Sequence, residues 1–237
     1  MIIKILHLYY DIMNLYGEYG NLVILEDRIK EQGFSVSVDK KSINDEITFN
    51  DYDFIYIGCG TEKNQHVVLE HLKNYKDELK VYIEEGKVIL ATGNSYEMFG
   101  KVIDSEEGLG IFDFEVLRTP DRITSDVIYK SIILQNETVG FVNKMSNIVH
   151  NLNPFYEVVF GVGENEKNDH EGVKYKNFYG TYVLGPILVR NPEFLKYLVN
   201  LICTKRDTAF KMVDYIHDNE DRGYKLVLEE LRKRMHK

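Results

Sequence analysis

The sequence predicts a three-layer α/β domain with a mostly parallel central sheet, and three observations carry that prediction. Strand-like apolar runs alternate with stretches of helical spacing through the first hundred residues. Runs such as 88–91 are apolar throughout, the mark of strands covered on both faces. The helical stretches close at glycines, Gly33 and Gly86. Strands covered on both faces need helices on both sides of the sheet, and parallel pairing places them there through its crossover connections.

Residues 2–8 form the first apolar run. Residues 21–32 carry Leu22, Leu25 and Ile29 at helical spacing, and residues 34–38 alternate as a strand does. Residues 52–57 make a further strand, ended by Gly58-Cys59-Gly60. Residues 65–85 place Val68, Leu69, Leu72, Tyr75, Leu79 and Ile83 on one helical face. The strand at 88–91 then runs into a tight turn, and a helix is predicted to begin at 96–100. The second half changes character. Short strand-like segments at 114–117, 127–134, 139–141 and 157–160, with no long helix between them, predict an antiparallel extension. Residues 164–172 read as a polar loop and 176–183 as a strand leading to Gly185-Pro186. A helix follows at 192–204, with Asn191 as cap and Pro192 as its first residue. The tail, 205–237, sets Phe210, Val213, Ile216, Leu226, Val227 and Leu231 among many charges. It reads as one or two amphipathic helices interrupted at Gly223, appended to a domain of residues 1–204.

Composition narrows the function classes. A chain of 237 residues with 44 % hydrophobic residues can build its core without disulfides or metals. A net charge of −9 argues against wholesale binding to nucleic acid or an anionic membrane. Two cysteines, Cys59 and Cys203, give neither a disulfide framework nor a zinc spacing, which fits a reduced cytoplasmic setting. The amino terminus reads as a strand and not a signal peptide, and no apolar run approaches the roughly 20 residues that span a bilayer. No phosphate-binding glycine motif is present, so neither ATP nor another cofactor is expected on this chain. The seven histidines have no metal-ligand spacing, and no metal is expected.

The junction at 88–100, Val-Ile-Leu-Ala-Thr-Gly-Asn-Ser-Tyr-Glu-Met-Phe-Gly, is the setting of a nucleophile elbow at the carboxyl end of a strand. The turn itself holds Gly93, which has no side chain to attack with. Several segments together resemble the cobyric-acid-synthase-like class I glutamine amidotransferases, and within them the glutaminase subunits of lipid II isoglutaminyl synthase. The opening Leu8-Tyr9-Tyr10-Asp11-Ile12-Met13-Asn14-Leu15-Tyr16-Gly17-Glu18-Tyr19-Gly20-Asn21 is similar to the family's Leu-Tyr-Pro-Asp-x-x-Asn-x-Tyr-Gly-Asp-x-Gly-Asn. Gly58-Cys59-Gly60-Thr61-Glu62-Lys63-Asn64-Gln65 resembles its Gly-Gly-Gly-x-Asp-x-x-Gln loop, and Gly140-Phe141-Val142-Asn143 its Gly-Phe-Glu-Asn-His. Glu171-Gly172 and Gly180-Thr181-Tyr182-Val183-Leu184-Gly185-Pro186 resemble its Glu-Gly and Gly-Thr-Tyr-x-His-Gly-Pro. The resemblance covers residues 5–204 and implies a flavodoxin-like architecture.

It also implies a chemistry. A cysteine at the elbow attacks the glutamine amide, a histidine acts as base and then acid, and backbone N–H groups of the glycine-rich loop hold the oxyanion. Here Gly93 stands at the nucleophile position of the family's Cys-Gly-Gly-Tyr-Gln, Leu184 at the histidine position, and Glu97 where the family has glutamine. Losing nucleophile and base together leaves no evident route to a thioester. The expectation is therefore a degenerate subunit without glutaminase activity. By resemblance it would support a Mur-ligase-like or other ATP-dependent ligase partner in peptidoglycan-precursor amidation. Asp11, Asn14, Gly17, Asn21, Gly58, Gly60, Gln65, Asn94, Asn143 and Glu171 are the retained positions expected around a pocket for glutamine or a similar small ligand. Arg122 stands where a family arginine meets the ligand carboxylate. Two alternatives remain at this point. Cys59, in the loop equivalent to the oxyanion hole, is the one rescue candidate for a relocated nucleophile, or the chain is an interaction protein that docks through its tail.

Overall fold

The computed structural model describes residues 1–150, 152–165, 169–215 and 217–235. Ile216, His236 and residues 166–168 of the expected polar loop lie outside them. In chain order the elements are β1 (Ile2–Leu8), α1 (Gly20–Glu31), β2 (Ser35–Lys41), β3 (Phe54–Ile57), α2 (Glu62–Leu72), α3 (Lys76–Glu84) and β4 (Val88–Thr92). There follow β5 (Val102–Ile103), β6 (Glu106–Glu107), β7 (Phe114–Ser131), β8 (Thr138–His150), β9 (Pro154–Phe160), β10 (His170–Tyr175) and β11 (Phe178–Thr181). The chain closes with α4 (Ile187–Arg190), α5 (Pro192–Arg206) and α6 (Asp218–Met235). The strands make one sheet in the order β2-β1-β3-β4-β11-β10-β9-β7-β5-β6, with β8 paired to β7. From β2 through β4 to β11 the pairing is parallel, and from β11 through β10 and β9 to β7 it is antiparallel. This is the predicted mostly parallel α/β sheet with an antiparallel extension. Every residue of β3 and β4 is buried, as continuous apolar runs require.

Several element boundaries differ from the prediction, each for a local reason. The single helix expected over 65–85 is two, α2 and α3, joined by a 3-10 turn at Lys73–Tyr75. The Asn74 side-chain amide donates to the His71 carbonyl at 3.0 Å, offering the backbone an alternative to the helical ladder. The apolar face survives the break, since Val68, Leu69, Leu72, Leu79 and Ile83 are all buried. The helix expected to start at 96–100 is instead a buried 3-10 run, Gly93–Phe99, that goes no further. The carbonyls of Met98 and Phe99, which a continuing helix would claim, accept from Leu109 and from Ile111 and Phe112.

The segments expected separately at 114–117 and 127–134 belong to one 18-residue strand, β7, which pairs along β8 with a register shift between Arg118 and Ile123. Pro120 sits within that irregularity, where a missing N–H costs no ladder bond. Residues 170–172 of the expected loop open β10. The strand expected from 176 begins at Phe178, after a hairpin turn with Lys176 at φ +48°. Gly223 does not interrupt the tail: α6 runs through it, carried by Tyr224, Val227, Leu228 and Leu231, which pack on Ile128, Val139 and Phe160. The tail is also tied to α1 and the antiparallel extension by Arg28–Glu220 at 2.5 Å, Arg232–Glu137 at 2.7 Å and Arg234–Asp126 at 2.7 Å.

One side of β8 pairs with β7. On the other side Phe141 makes an isolated bridge to Leu184, and the Asn191 side chain accepts from Val139 N–H at 2.8 Å while donating to the Val139 carbonyl at 2.9 Å. Among the described residues no helix is long and apolar enough to cross a membrane.

Candidate functional site

The carboxyl ends of β1, β3, β4 and β11 deliver four loops to one crevice. After β4 the chain turns at Gly93 with φ +62°, a left-handed conformation that glycine adopts without strain. The elbow predicted from sequence is therefore present as a backbone shape. A Cβ on Gly93 would stand 2.6 Å from Cys59 Cβ, 2.7 Å from Cys59 Sγ and 3.1 Å from Leu184 Cδ2. The 58–60 loop after β3 thus brings Cys59 against the elbow, and the segment after β11 brings Leu184 against the same point.

Cys59 is 3 % exposed. Burial pushes its thiol up to about 12, aided by the nearby carboxylates of Glu18, Glu97 and Glu62 and opposed by the Asn94 backbone N–H. A thiol so placed is a thiol and not a thiolate at neutral pH. The histidines whose partners are known lie elsewhere. His71 faces Tyr9 at 2.9 Å, His66 faces Glu106 at 2.7 Å and His217 faces Glu31 at 3.0 Å. His7 is buried among Tyr10 and Tyr56, and burial lowers it to about 4. His170 pairs with Glu157 across β10 and β9, on an exposed position. Ser95 donates to the carbonyls of Ile57 at 3.0 Å and Thr92 at 2.8 Å, so its hydroxyl serves the backbone of the turn. Asn94 clamps the glycine-rich loop: its Oδ1 accepts from Gly60 N–H and its Nδ2 donates to the Gly60 carbonyl, both at 3.0 Å.

A cavity of about 130 Å³ adjoins this point, lined among others by Tyr16, Cys59, Glu62, Arg118, Arg122 and Asn143. Glu97 also lines it, itself inaccessible to solvent and held by four donors. Gln65 Nε2 reaches its Oε2 at 2.6 Å and Arg118 at 3.1 Å; Ser146 and Tyr182 hydroxyls reach its Oε1 at 2.5 and 2.7 Å. Arg118 also donates to Gln65 Oε1 at 2.5 Å, and Gln65 Nε2 to the Asn94 carbonyl at 2.6 Å. A buried carboxylate is tolerable only with such partners. The charge at position 97 is thus met by Arg118, which the sequence reading did not single out.

The other predicted residues divide into a rim and a support. Across the rim, Arg122 donates to Asn143 Oδ1 and to Glu62 Oε1, both at 2.8 Å, and Asn143 donates to the Tyr16 hydroxyl at 2.8 Å. Asn14 accepts from Tyr19 N–H at 2.9 Å, and Gly17 takes φ +72°; both shape the β1–α1 loop. Asn21 donates to Tyr56 at 2.9 Å and accepts from Leu188 N–H at 2.8 Å, beneath the crevice. Gly58 and Gly60 lie against Met13, with no room for a Cβ. Glu171 accepts from Thr181 Oγ1 at 2.7 Å and Tyr182 N–H at 2.6 Å, which fixes the strand leading to Leu184. Burial pushes its carboxyl up to about 8 and lowers neighbouring Lys144 to about 8. Asp11 is set apart from the cavity lining and accepts from Ser42 at 2.6 Å.

Glu18, another buried carboxylate missed in the sequence, accepts from Thr92 at 2.5 Å, Tyr56 at 2.8 Å and Gly185 N–H at 3.1 Å. From the loop after β1 it thus reaches β3, the end of β4 and the segment after β11. Among the described residues no group of three or more His, Cys, Asp or Glu is placed to hold a metal ion.

Comparison with known proteins places this arrangement. A model of the CobB/CobQ-like glutamine amidotransferase domain matches residues 4–192. The chain is 31 % identical over 232 residues to the lipid II isoglutaminyl synthase (glutamine-hydrolyzing) subunit GatD of Staphylococcus aureus, covering 96 % of this chain and 95 % of that protein. It is 31 % identical over 212 residues to the corresponding subunit of Streptococcus pneumoniae, covering 86 % and 82 %. Among solved structures, a glutamine amidotransferase of Thermotoga maritima superposes with a TM-score of 0.56 at 12 % identity, over 98 % of this chain and 97 % of that one. The glutaminase domain of Trypanosoma brucei CTPS does so at 0.50 and 8 % identity, over 88 % and 96 %.

Proposed function

The chain belongs to the CobB/CobQ-like glutamine amidotransferase family, and on that premise we propose that it is a cytoplasmic subunit without glutaminase chemistry of its own. In this reading it works in peptidoglycan-precursor amidation, in complex with a Mur-ligase-like, ATP-dependent partner. The amidation assignment draws on the two relatives, whose names place them in lipid II isoglutaminyl synthase. The absence of chemistry draws on one observation above the rest: the elbow carries no side chain, and the space beside it is filled by Cys59 and Leu184.

Three requirements of acyl transfer fail together at this point. The position of the nucleophile is Gly93 and that of the base is Leu184. The N–H of Gly60, in the loop that would face an oxyanion, is already bound by Asn94 Oδ1. Cys59 does not replace them. Burial pushes its thiol up to about 12, so it stays protonated at neutral pH, and no histidine is hydrogen-bonded to it among the described residues. The chain would then stabilise its partner or hold a small ligand, glutamine or a similar molecule, in the remaining cavity.

The test is glutamate release from glutamine by the protein purified with its native partner, wild type beside Cys59→Ala. The expected result is background release from both with the partner still bound. Release by the wild type that disappears in Cys59→Ala would overturn the reading and make Cys59 a relocated nucleophile.

A further inference from the structure

We propose that Cys59 and Gly93 are a mutually exclusive pair: the side chain of the 58–60 loop occupies the volume that a side chain on the elbow would need, so the crevice accommodates one or the other. The idea that position 93 once carried the nucleophile rests on the functional reading above; the steric exclusion does not.

The exclusion follows from how each wall is pinned. A Cβ at position 93 would stand 2.6 and 2.7 Å from Cys59 Cβ and Sγ, closer than carbon and sulfur pack without displacement. The 58–60 loop has nowhere to withdraw to, because its far side rests on Met13. There a Cβ on Gly60 would come within 2.3 Å of Met13 Sδ, and one on Gly58 within 2.5 Å of the Met13 carbonyl oxygen. The loop is also tied along its length, through Leu15 N–H to the Cys59 carbonyl at 2.9 Å and through the two Asn94–Gly60 bonds at 3.0 Å. The elbow is held in turn by Ser95, whose hydroxyl is bound to Ile57 and Thr92. Leu184 closes the third side, fixed by main-chain bonds in both directions with Phe141. A side chain restored at 93 would therefore meet a rigid wall.

One consequence concerns how the site can change. Gly93→Cys alone, or with Leu184→His, inserts a side chain into occupied space. Glycine at 59 has to come first or at the same time. Asn94 adds a further block, since its side chain holds the Gly60 N–H. The steps back to a catalytic crevice are coupled, and single substitutions along the way are disfavoured.

A thermal double-mutant cycle on the whole chain tests the pair, using Gly93→Ala, Cys59→Gly and the two combined. The strain of placing alanine at φ +62° is the same in both backgrounds and cancels. Gly93→Ala should lower Tm in the wild-type background by at least about 4 °C more than in the Cys59→Gly background. If Gly93→Ala alone yields no folded protein, recovery of folded protein in the double variant is the same result. Equal losses in both backgrounds, or no folding in either, would overturn the proposal. The cycle needs neither glutamine nor partner, so its outcome is separate from the glutamate-release assay, which bears only on the functional reading.

Discussion

At the scale of single residues, the crevice is governed by carboxylates that would be intolerable without partners. Glu97 is the clearest case. Removing Arg118 by Arg118→Met should cost about 2 kcal/mol in chemical denaturation, below the range for a fully buried pair because the Arg118 side chain is partly exposed. Glu97→Gln in that background should restore most of the loss, since a neutral amide keeps the Ser146 and Tyr182 donors employed. Glu171 supplies a pH signature. Burial raises its folded pKa to about 8, above the ordinary 4.5, so the folded state binds the proton more tightly than the unfolded chain. Its contribution to stability is complete below about pH 4.5 and is lost as pH rises through about 8. Lys144, lowered to about 8, acts in the window above, where stability is lost as pH falls from 10.5 towards 8. Between pH 5 and 8 Glu171, and with it buried Glu18, makes stability fall as pH rises, while below about pH 6.5 buried His7, lowered to about 4, opposes them. Glu171→Gln should therefore reduce the fall of Tm with rising pH, most visibly between about pH 6.5 and 8. An unchanged slope would assign it to another group. Gly93 and Leu184 were legible because family motifs fix their register. Arg118 and Ser146 were not, because they reach Glu97 from 21 and 49 residues away and lie in no motif; Tyr182 lies in a motif, but nothing in the sequence pairs it with Glu97, 85 residues away.

At the scale of elements, the continuous apolar runs of the fully buried β3 and β4 left a plain pattern, while the run at 2–8 and the helical spacing of Leu22, Leu25 and Ile29 sufficed to place the partly exposed β1 and α1. What the pattern could not show was competition for backbone bonds. The carbonyls of Met98 and Phe99 are taken by a loop that lies ten or more residues further on, and this stops the 3-10 run after β4. Asn74 splits one helix into two by a bond of its own side chain. Gly223 misled in the other direction: glycine is a poor helix former, yet the packing of Tyr224, Val227 and Leu231 on the sheet outweighs its penalty. That penalty is still present and removable. Gly223 is exposed and nothing lies within 4 Å of a Cβ built on it, so Gly223→Ala should raise stability by about 0.5–1 kcal/mol. Denaturant midpoints at constant slope would measure it, and a loss would mean that α6 is not helical there.

At the scale of the whole molecule, the tail faces inward. Its apolar side covers Ile128, Val139 and Phe160, and its ends are fastened to Glu137, Asp126 and Arg28. Deleting residues 207–237 should therefore lower Tm by roughly 5–10 °C, from the apolar area uncovered and the conversion of free energy to Tm at this chain length. A tail held free for a partner would leave Tm unchanged on deletion, and that comparison decides between the two roles. We propose the division between a domain of residues 1–204 and the tail as one of sequence and of structural dependence together: the helix has no apolar contacts of its own to fold around.

Asn191 has a consequence of a different kind. With one side chain it occupies both main-chain groups of Val139 on the side of β8 that β7 leaves unpaired. An open strand edge is a template on which other molecules can add strands, and sheets that persist in crowded solution keep such edges covered. Here one amide does what a whole neighbouring strand would otherwise do, and together with the Phe141–Leu184 bridge it shields this stretch of the sheet from intermolecular strand addition. The residue that immediately precedes α5 thus contributes to the colloidal behaviour of the protein, its side chain being spent on the strand edge and not on capping the helix.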